Sequence, residues 1–68
     1  MKQKSLKKLA NKIAELEHII QTSKDPATVT KAQDGITQLA MSVPLGLKDM
    51  VVLDDMIQEI YEKKYKNS

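Results

Sequence analysis

Three stretches of the chain carry apolar residues at alternating steps of three and four, which is the spacing of one face of an α-helix. The first stripe consists of Leu6, Leu9, Ile13, Leu16 and Ile20. The second consists of Val29, Ala32, Ile36, Leu39 and Val43, and the third of Met50, Leu53, Ile57 and Ile60. The pattern predicts an all-α fold with three amphipathic helices.

Capping and turn residues predict where these helices begin and end. Pro26 disfavours helical geometry in the residue before it and suits a first helical position, with Asp25 as the N-cap. The segment 42–46 (SVPLG) interrupts the second stripe, and Ser5 and Ser42 are the candidate N-caps of the first and third helices. The expected helices cover about residues 5–23, 26–42 and 47–66.

The expected architecture is a three-helix, up-down-up antiparallel bundle that forms a single domain over residues 1–68. The three helices are similar in length and the turns between them are short, as side-by-side packing requires. A chain of 68 residues has a small core, and it contains no cysteine for a disulfide and one histidine, too few ligands for a structural zinc site. Regular helix packing and self-association are the two remaining sources of stability, and dimerisation is one way to complete the bundle.

Composition narrows the class of protein further. With 41% hydrophobic and 29% charged residues the chain resembles a folded globular domain. No apolar run approaches the roughly 20 residues that span a bilayer, and the lysine-rich start is not followed by the apolar region of a signal peptide. These features predict a cytoplasmic protein. A third and weaker alternative is that the basic, leucine-rich first helix lies on an anionic membrane surface.

Lysines concentrate near both ends of the chain and allow two interpretations. Net charge is +2 and all eleven basic residues are lysine, so the arginine fork favoured in sequence-specific nucleic-acid recognition is absent. A lysine-driven nucleic-acid contact, with Tyr61 and Tyr65 as stacking groups, would use the following residues: Lys2, Lys4, Lys7, Lys8, Lys12, Lys63, Lys64 and Lys66. A helix-turn-helix docking is excluded, because the third helix would carry three aspartates into the DNA groove.

The alternative is that the charges match each other inside the bundle. Parallel first and third helices would place the N-terminal lysines near the aspartates of the third helix, and the C-terminal lysines near acidic residues of the first. The acidic residues concerned are Asp49, Asp54, Asp55, Glu15 and Glu17.

No set of residues has the spacing of a catalytic, cofactor or metal site, so we expect a non-enzymatic protein. His18 lies opposite the first apolar stripe and is expected to be exposed, without a nucleophile or carboxylate beside it. Asp55, Glu59 and Glu62 share one face of the third helix, but the Glu-x-x-His motif of di-metal sites is absent. A solvated face with a Glu59–Lys63 pair is the simpler interpretation. Gly35, inside the second helix, indicates a tolerated flaw or a close helix contact, with a hinge as the alternative.

The strongest functional signal is the corner between the second and third helices, residues 39–53 (LAMSVPLGLKDMVVL), which is more apolar than one buried stripe requires. The candidate partner-binding residues are Leu39, Met41, Val43, Leu45, Leu47, Met50, Val51 and Val52. Either Val43, Leu45 and Leu47 plug the end of the bundle, or the corner binds a second copy or another protein. The predicted function is a small accessory or regulatory protein that acts by protein-protein interaction, with nucleic-acid binding as the alternative.

Overall fold

The computed structural model describes residues 3–66 and contains three α-helices: α1 (Gln3–Thr22), α2 (Pro26–Ser42) and α3 (Leu47–Tyr61). A π-helical turn, Glu62–Lys66, continues α3. Within the described residues there is no strand, and the prediction of an all-α fold with three helices is confirmed. The third α-helix is shorter than the expected 47–66 because its last turn widens into the π form.

One predicted cap is confirmed and two are wrong. Asp25 is the N-cap of α2, where its Oδ1 accepts a hydrogen bond from the backbone N–H of Ala27 at 3.1 Å, and Pro26 follows it. Ser5 caps nothing, because α1 already begins at Gln3. Ser42 ends α2 instead of starting α3: its hydroxyl donates to the Leu39 carbonyl at 3.1 Å. The N-cap of α3 is Gly46, which has no side chain to cap with.

α1 is the helix against which both of the others pack. α2 and α3 each make an extensive contact with α1 and barely contact each other. The buried apolar residues are Leu6, Leu9, Ala10, Ile13 and Ala14 from α1, Ala32 from α2 and Leu53 from α3. Because α1 supplies most of this core, the stability of the fold depends chiefly on how well its two neighbours cover it.

The contact between α1 and α2 is close at Gly35. A Cβ built on Gly35 would lie 3.2 Å from Cδ1 of Leu16, nearer than ordinary van der Waals contact. This favours the close-contact interpretation of the glycine, since a side chain at this position would require the Leu16 side chain to shift or the two helices to separate.

α3 lies across α1. The Tyr61 hydroxyl donates to Oε1 of Gln21 at 2.7 Å, while Lys64 Nζ donates to Oδ1 of Asn11 at 3.3 Å. Gln21 and Asn11 are separated by about 15 Å along α1 at the usual helical rise, whereas Tyr61 and Lys64 are less than one turn apart. Lys64 lines a groove on one side of α3 with Asn11, and Tyr61 lines a groove on the other side with Gln21. We infer from these contacts that α3 crosses α1 at an angle.

The apolar stripe of α3 differs from the predicted one at one position. Leu53 is buried and Ile57 and Ile60 are half-buried, as expected. Met50 is 51% exposed, and Met56 takes its place by packing against the core. The difference arises because α3 contacts α1 from Leu53 onward, whereas Met50 lies in the part of α3 that does not pack on the core. None of the described helices is both long enough and apolar enough to cross a membrane.

We predict that Asp25→Ala lowers the free energy of unfolding by about 1 kcal/mol, the usual cost of losing an N-cap side chain. The carboxylate accepts from the Ala27 N–H and from the Thr28 hydroxyl at 3.0 Å, and alanine replaces neither bond. Urea denaturation measures the change. Asp34→Ala, at an exposed position inside α2, is the charge-matched control. Equal effects of the two substitutions would contradict the capping role.

We further predict that Gly35→Leu destabilises the fold by about 1–3 kcal/mol through overpacking against Leu16. The control is Ala40→Leu, which adds the same side chain at an exposed position of α2. Thermal unfolding of both variants distinguishes a packing constraint at Gly35 from a general effect of leucine in α2. A stabilised Gly35→Leu variant would show that helix propensity outweighs the contact.

Candidate functional site

His18 packs in an aromatic cluster with the two tyrosines, and the prediction that it is exposed is wrong. The imidazole stacks on the Tyr65 ring, with centroids 3.9 Å apart and planes 10° from parallel. Tyr61 meets His18 edge-on at 6.1 Å and lies 5.2 Å from Tyr65. Nδ1 of His18 is buried and has no hydrogen-bond partner among residues 3–66. Tyr65 belongs to the π-helical turn, and π turns often accompany a local functional or packing demand.

His18 is half-buried because α1 has two packed faces rather than one. A single apolar stripe correctly identifies the first face, but the α3-facing side is built from small and polar residues that carry little hydrophobic signal. Asn11, Ala14, His18 and Gln21 follow each other at steps of 3, 4 and 3. This second periodicity is the sequence signal of the face, although small and polar residues carry it only weakly. The structure buries Ala10 and Ala14.

Where α3 crosses α1, a groove opens along each flank of α3. The first, which we call the basic groove, has a volume of about 380 Å³. It is lined by Lys7 and Asn11 of α1 and by Met56, Glu59, Ile60, Lys63 and Lys64 of α3 and its π turn. Three lysines thus surround a floor formed by one methionine and one isoleucine.

The second groove, on the opposite flank, is polar and mostly acidic, with a volume of about 350 Å³. Its charged residues are Glu17, Asp54, Glu62 and Lys66. Gln21 and Tyr61, joined by their hydrogen bond, also line it. The two flanks of α3 therefore differ in electrostatic character.

The predicted charge matching between α1 and α3 is only partly present among the described residues. Lys66 shares the polar groove with Glu17, as expected. Lys63 and Lys64, however, line the same groove as Lys7, and Asp54 lines the same groove as Glu17, so like charges share each groove. The reason is that α3 crosses α1 at an angle, so residues of the two helices meet in a different register from the one expected.

The remaining candidate lysines occupy the solvent side of α1. Lys4, Lys8 and Lys12 are exposed at successive steps of four residues, and Lys2 lies outside the described residues. The Glu59–Lys63 pair is confirmed, with Lys63 Nζ 3.3 Å from Glu59 Oε1 and both side chains well exposed. Within residues 3–66 no group of three or more histidine or acidic side chains is placed to hold a metal ion.

The structure divides the apolar corner into buried and exposed members. Leu39, Val43 and Leu45 are half-buried against the core and so plug its end. Leu47 does not, since it is 84% exposed, and Met41 is 82% exposed. The other exposed members are Met50, Val51 and Val52.

Three of the exposed residues form what we call the α3 patch: Leu47, Met50 and Val51. Their i, i+3, i+4 spacing puts them on one face of the first two turns of α3. The same face continues to Asp54 and Gln58 of the polar groove. Val52 lies on the other flank, in line with Met56 and Ile60 of the basic groove. Met41 projects from α2 on the side away from the half-buried Ile36 and Leu39.

A comparison of the chain with protein-family models, with curated proteins and with solved structures gives no match. The function therefore has to be inferred from the surfaces described above.

The His18–Tyr65 stack predicts a measurable coupling between the two side chains. A double-mutant cycle with His18→Ala and Tyr65→Ala should give an interaction free energy of about 0.5–1.5 kcal/mol, the usual range for aromatic pairs. Chemical denaturation of the four proteins measures it. The corresponding cycle of His18→Ala with Tyr61→Phe, which keeps the Tyr61 ring, should give a much smaller value. Additive single substitutions of His18 and Tyr65 would rule the stack out in solution.

Proposed function

We propose that this protein is a small, non-enzymatic accessory or regulatory protein that acts by protein-protein interaction through the α3 patch, with a second copy of the chain as the occupant. The observation that carries the proposal is the exposure of Leu47, Met50 and Val51 on one helical face, with Leu47 at 84%. Contiguous apolar surface of this kind is typical of interaction sites, and methionine adapts readily to a partner.

The thin core supports self-association. None of the large side chains in the described part of the chain is buried to below 2% exposure, and two of the five buried α1 residues are alanines. A small domain with such a core gains stability from any partner that binds only the folded state. The up-down-up course of the helices is compatible with the packing, and a dimer through the α3 patch would extend the core on the side that α1 leaves uncovered.

Lysine-driven nucleic-acid binding is the second candidate. Its support is the grouping of Lys7, Lys63 and Lys64 around one groove, next to the lysines on the solvent side of α1. Two observations weigh against it. The rings of Tyr61 and Tyr65 already pack on His18, so they are not free platforms for bases, and Lys66 lies among acidic side chains.

We predict that the wild-type chain sediments as a dimer at high concentration and dissociates on dilution, and that a Leu47→Glu, Val51→Glu variant remains monomeric throughout. Two buried carboxylates facing each other across the contact would be strongly unfavourable. Sedimentation equilibrium over a hundredfold concentration range measures the difference in association between the two proteins. Such a range corresponds to about 2.7 kcal/mol of association free energy.

The matched control for charge is Gln33→Glu, Gln38→Glu, which adds the same two carboxylates at exposed polar positions of α2, outside the α3 patch and the face that continues it. It should dimerise like the wild type. A wild-type chain that stays monomeric over the whole range would rule out self-association, and equal dissociation of both variants would show that net charge, not the α3 patch, controls it.

A further inference from the structure

The basic groove combines an apolar floor with a rim of lysines, a combination that is not expected of an ordinary solvated surface. Its floor contains the half-buried side chains of Met56 and Ile60, and its rim carries the three lysines at positions 7, 63 and 64. The lysines come from two separate helical segments that the crossing of α1 and α3 brings together. The groove is therefore a product of the tertiary fold, and no run of the sequence shows it.

The apolar floor is the first constraint on what could bind there. Along α3 the lining extends from Met56 to Lys64, about 12 Å at the helical rise. A volume of about 380 Å³ lies at the small end of the range for ligand sites. Val52, 38% exposed, extends the apolar strip toward the start of α3. A single alkyl chain matches a short, narrow strip of this kind.

The charges are the second constraint. Among the described residues of the lining, Glu59 is the one carboxylate, and it pairs with Lys63 at 3.3 Å. Lys64 donates to the neutral amide oxygen of Asn11, so its charge is not neutralised by that contact. The lining consequently keeps an excess of positive charge over its apolar floor, which favours an anionic group and disfavours a cationic one.

We propose that the basic groove binds a monomeric, single-chain anionic amphiphile, such as an alkyl carboxylate or alkyl phosphate. The alkyl chain lies over Met56 and Ile60, and the oxyanion accepts hydrogen bonds from lysines of the rim. Lysine ammonium groups are suited to this role because they are mobile donors on long stems that also cover apolar surface. This site is separate from the α3 patch and does not depend on the proposed self-association.

An anionic amphiphile carries both an alkyl chain and an oxyanion, and this combination distinguishes it from a nucleic-acid strand and from a bilayer surface. A nucleic-acid strand would satisfy the lysines and leave the methionine and isoleucine uncovered. A bilayer would require a broad apolar face, whereas the strip from Val52 to Ile60 is one side chain wide. The groove thus favours a free amphiphile over both.

Methionine methyl groups provide a direct test, because Met56 reports on the basic groove while Met41 and Met50 report on the apolar corner. The full chain, labelled with ¹³C-methyl methionine, is titrated with decanoate, decyl phosphate and decyltrimethylammonium, each kept below its micelle concentration. The expected result is saturable binding of the two anions with shifts confined to Met56, and no comparable effect of the cation. Calorimetry gives the affinities.

The test variant is Lys63→Gln, Lys64→Gln, which should bind decanoate about tenfold more weakly through loss of charge-assisted hydrogen bonds. Lys24→Gln, Lys31→Gln removes the same charge at exposed positions outside α3 and should bind like the wild type. Lys7→Gln tests the α1 side of the rim independently. Circular dichroism checks that each variant remains helical.

Several outcomes would overturn the proposal. One is equal binding of the anionic and cationic amphiphiles. Others are shifts at Met41 and Met50 instead of Met56, or equal weakening by the two double substitutions. The proposal would also be overturned if neither anion bound. Binding only to phosphatidylglycerol vesicles would then identify the membrane as the partner, and binding only to a single-stranded oligonucleotide would identify nucleic acid.

Discussion

The burial of α1 between two helices is the constraint on which the rest of this structure depends. In a chain without cysteine no disulfide contributes, and nearly all of the stabilising burial among the described residues comes from packing one helix on two sides. Small residues at the helix contacts allow this close packing. Ala10 and Ala14 let α3 approach α1, and Gly35 lets α2 approach at Leu16.

Because α2 and α3 both pack on α1, the sides of α2 and α3 that face away from α1 have little to pack against. α2 and α3 barely contact each other, so the apolar residues at the end of α2 and the start of α3 have no partner helix to cover them. The exposed residues of the corner follow from this geometry. The crossing of α3 over α1 has a second consequence, because it opens a groove on each flank and separates basic from acidic lining.

The helices could be predicted from sequence because their information is local. The steps of three and four and the Asp25-Pro26 start depend only on residues near one another in the chain, and the exposed Leu47 follows from an excess of apolar residues in one segment. The crossing could not be predicted, because it depends on which faces of α1 are small enough for close approach. Three predictions failed for this reason: the exposure of His18, the burial of Met50, and the matching of Lys63 and Lys64 with the acids of α1.

The two candidate binding surfaces are distinguishable because they lie on opposite flanks of one helix. Spacing places the α3 patch in line with Asp54 and Gln58, and Val52 in line with Met56 and Ile60. A partner seated on the first flank therefore meets apolar surface bordered by acidic side chains, whereas a ligand on the second meets apolar surface bordered by lysines. Because the apolar component is common to both, the neighbouring charges decide which surface selects which partner. An uncharged apolar molecule would have no basis for discriminating between them, and specificity in this small protein has to come from its charged residues.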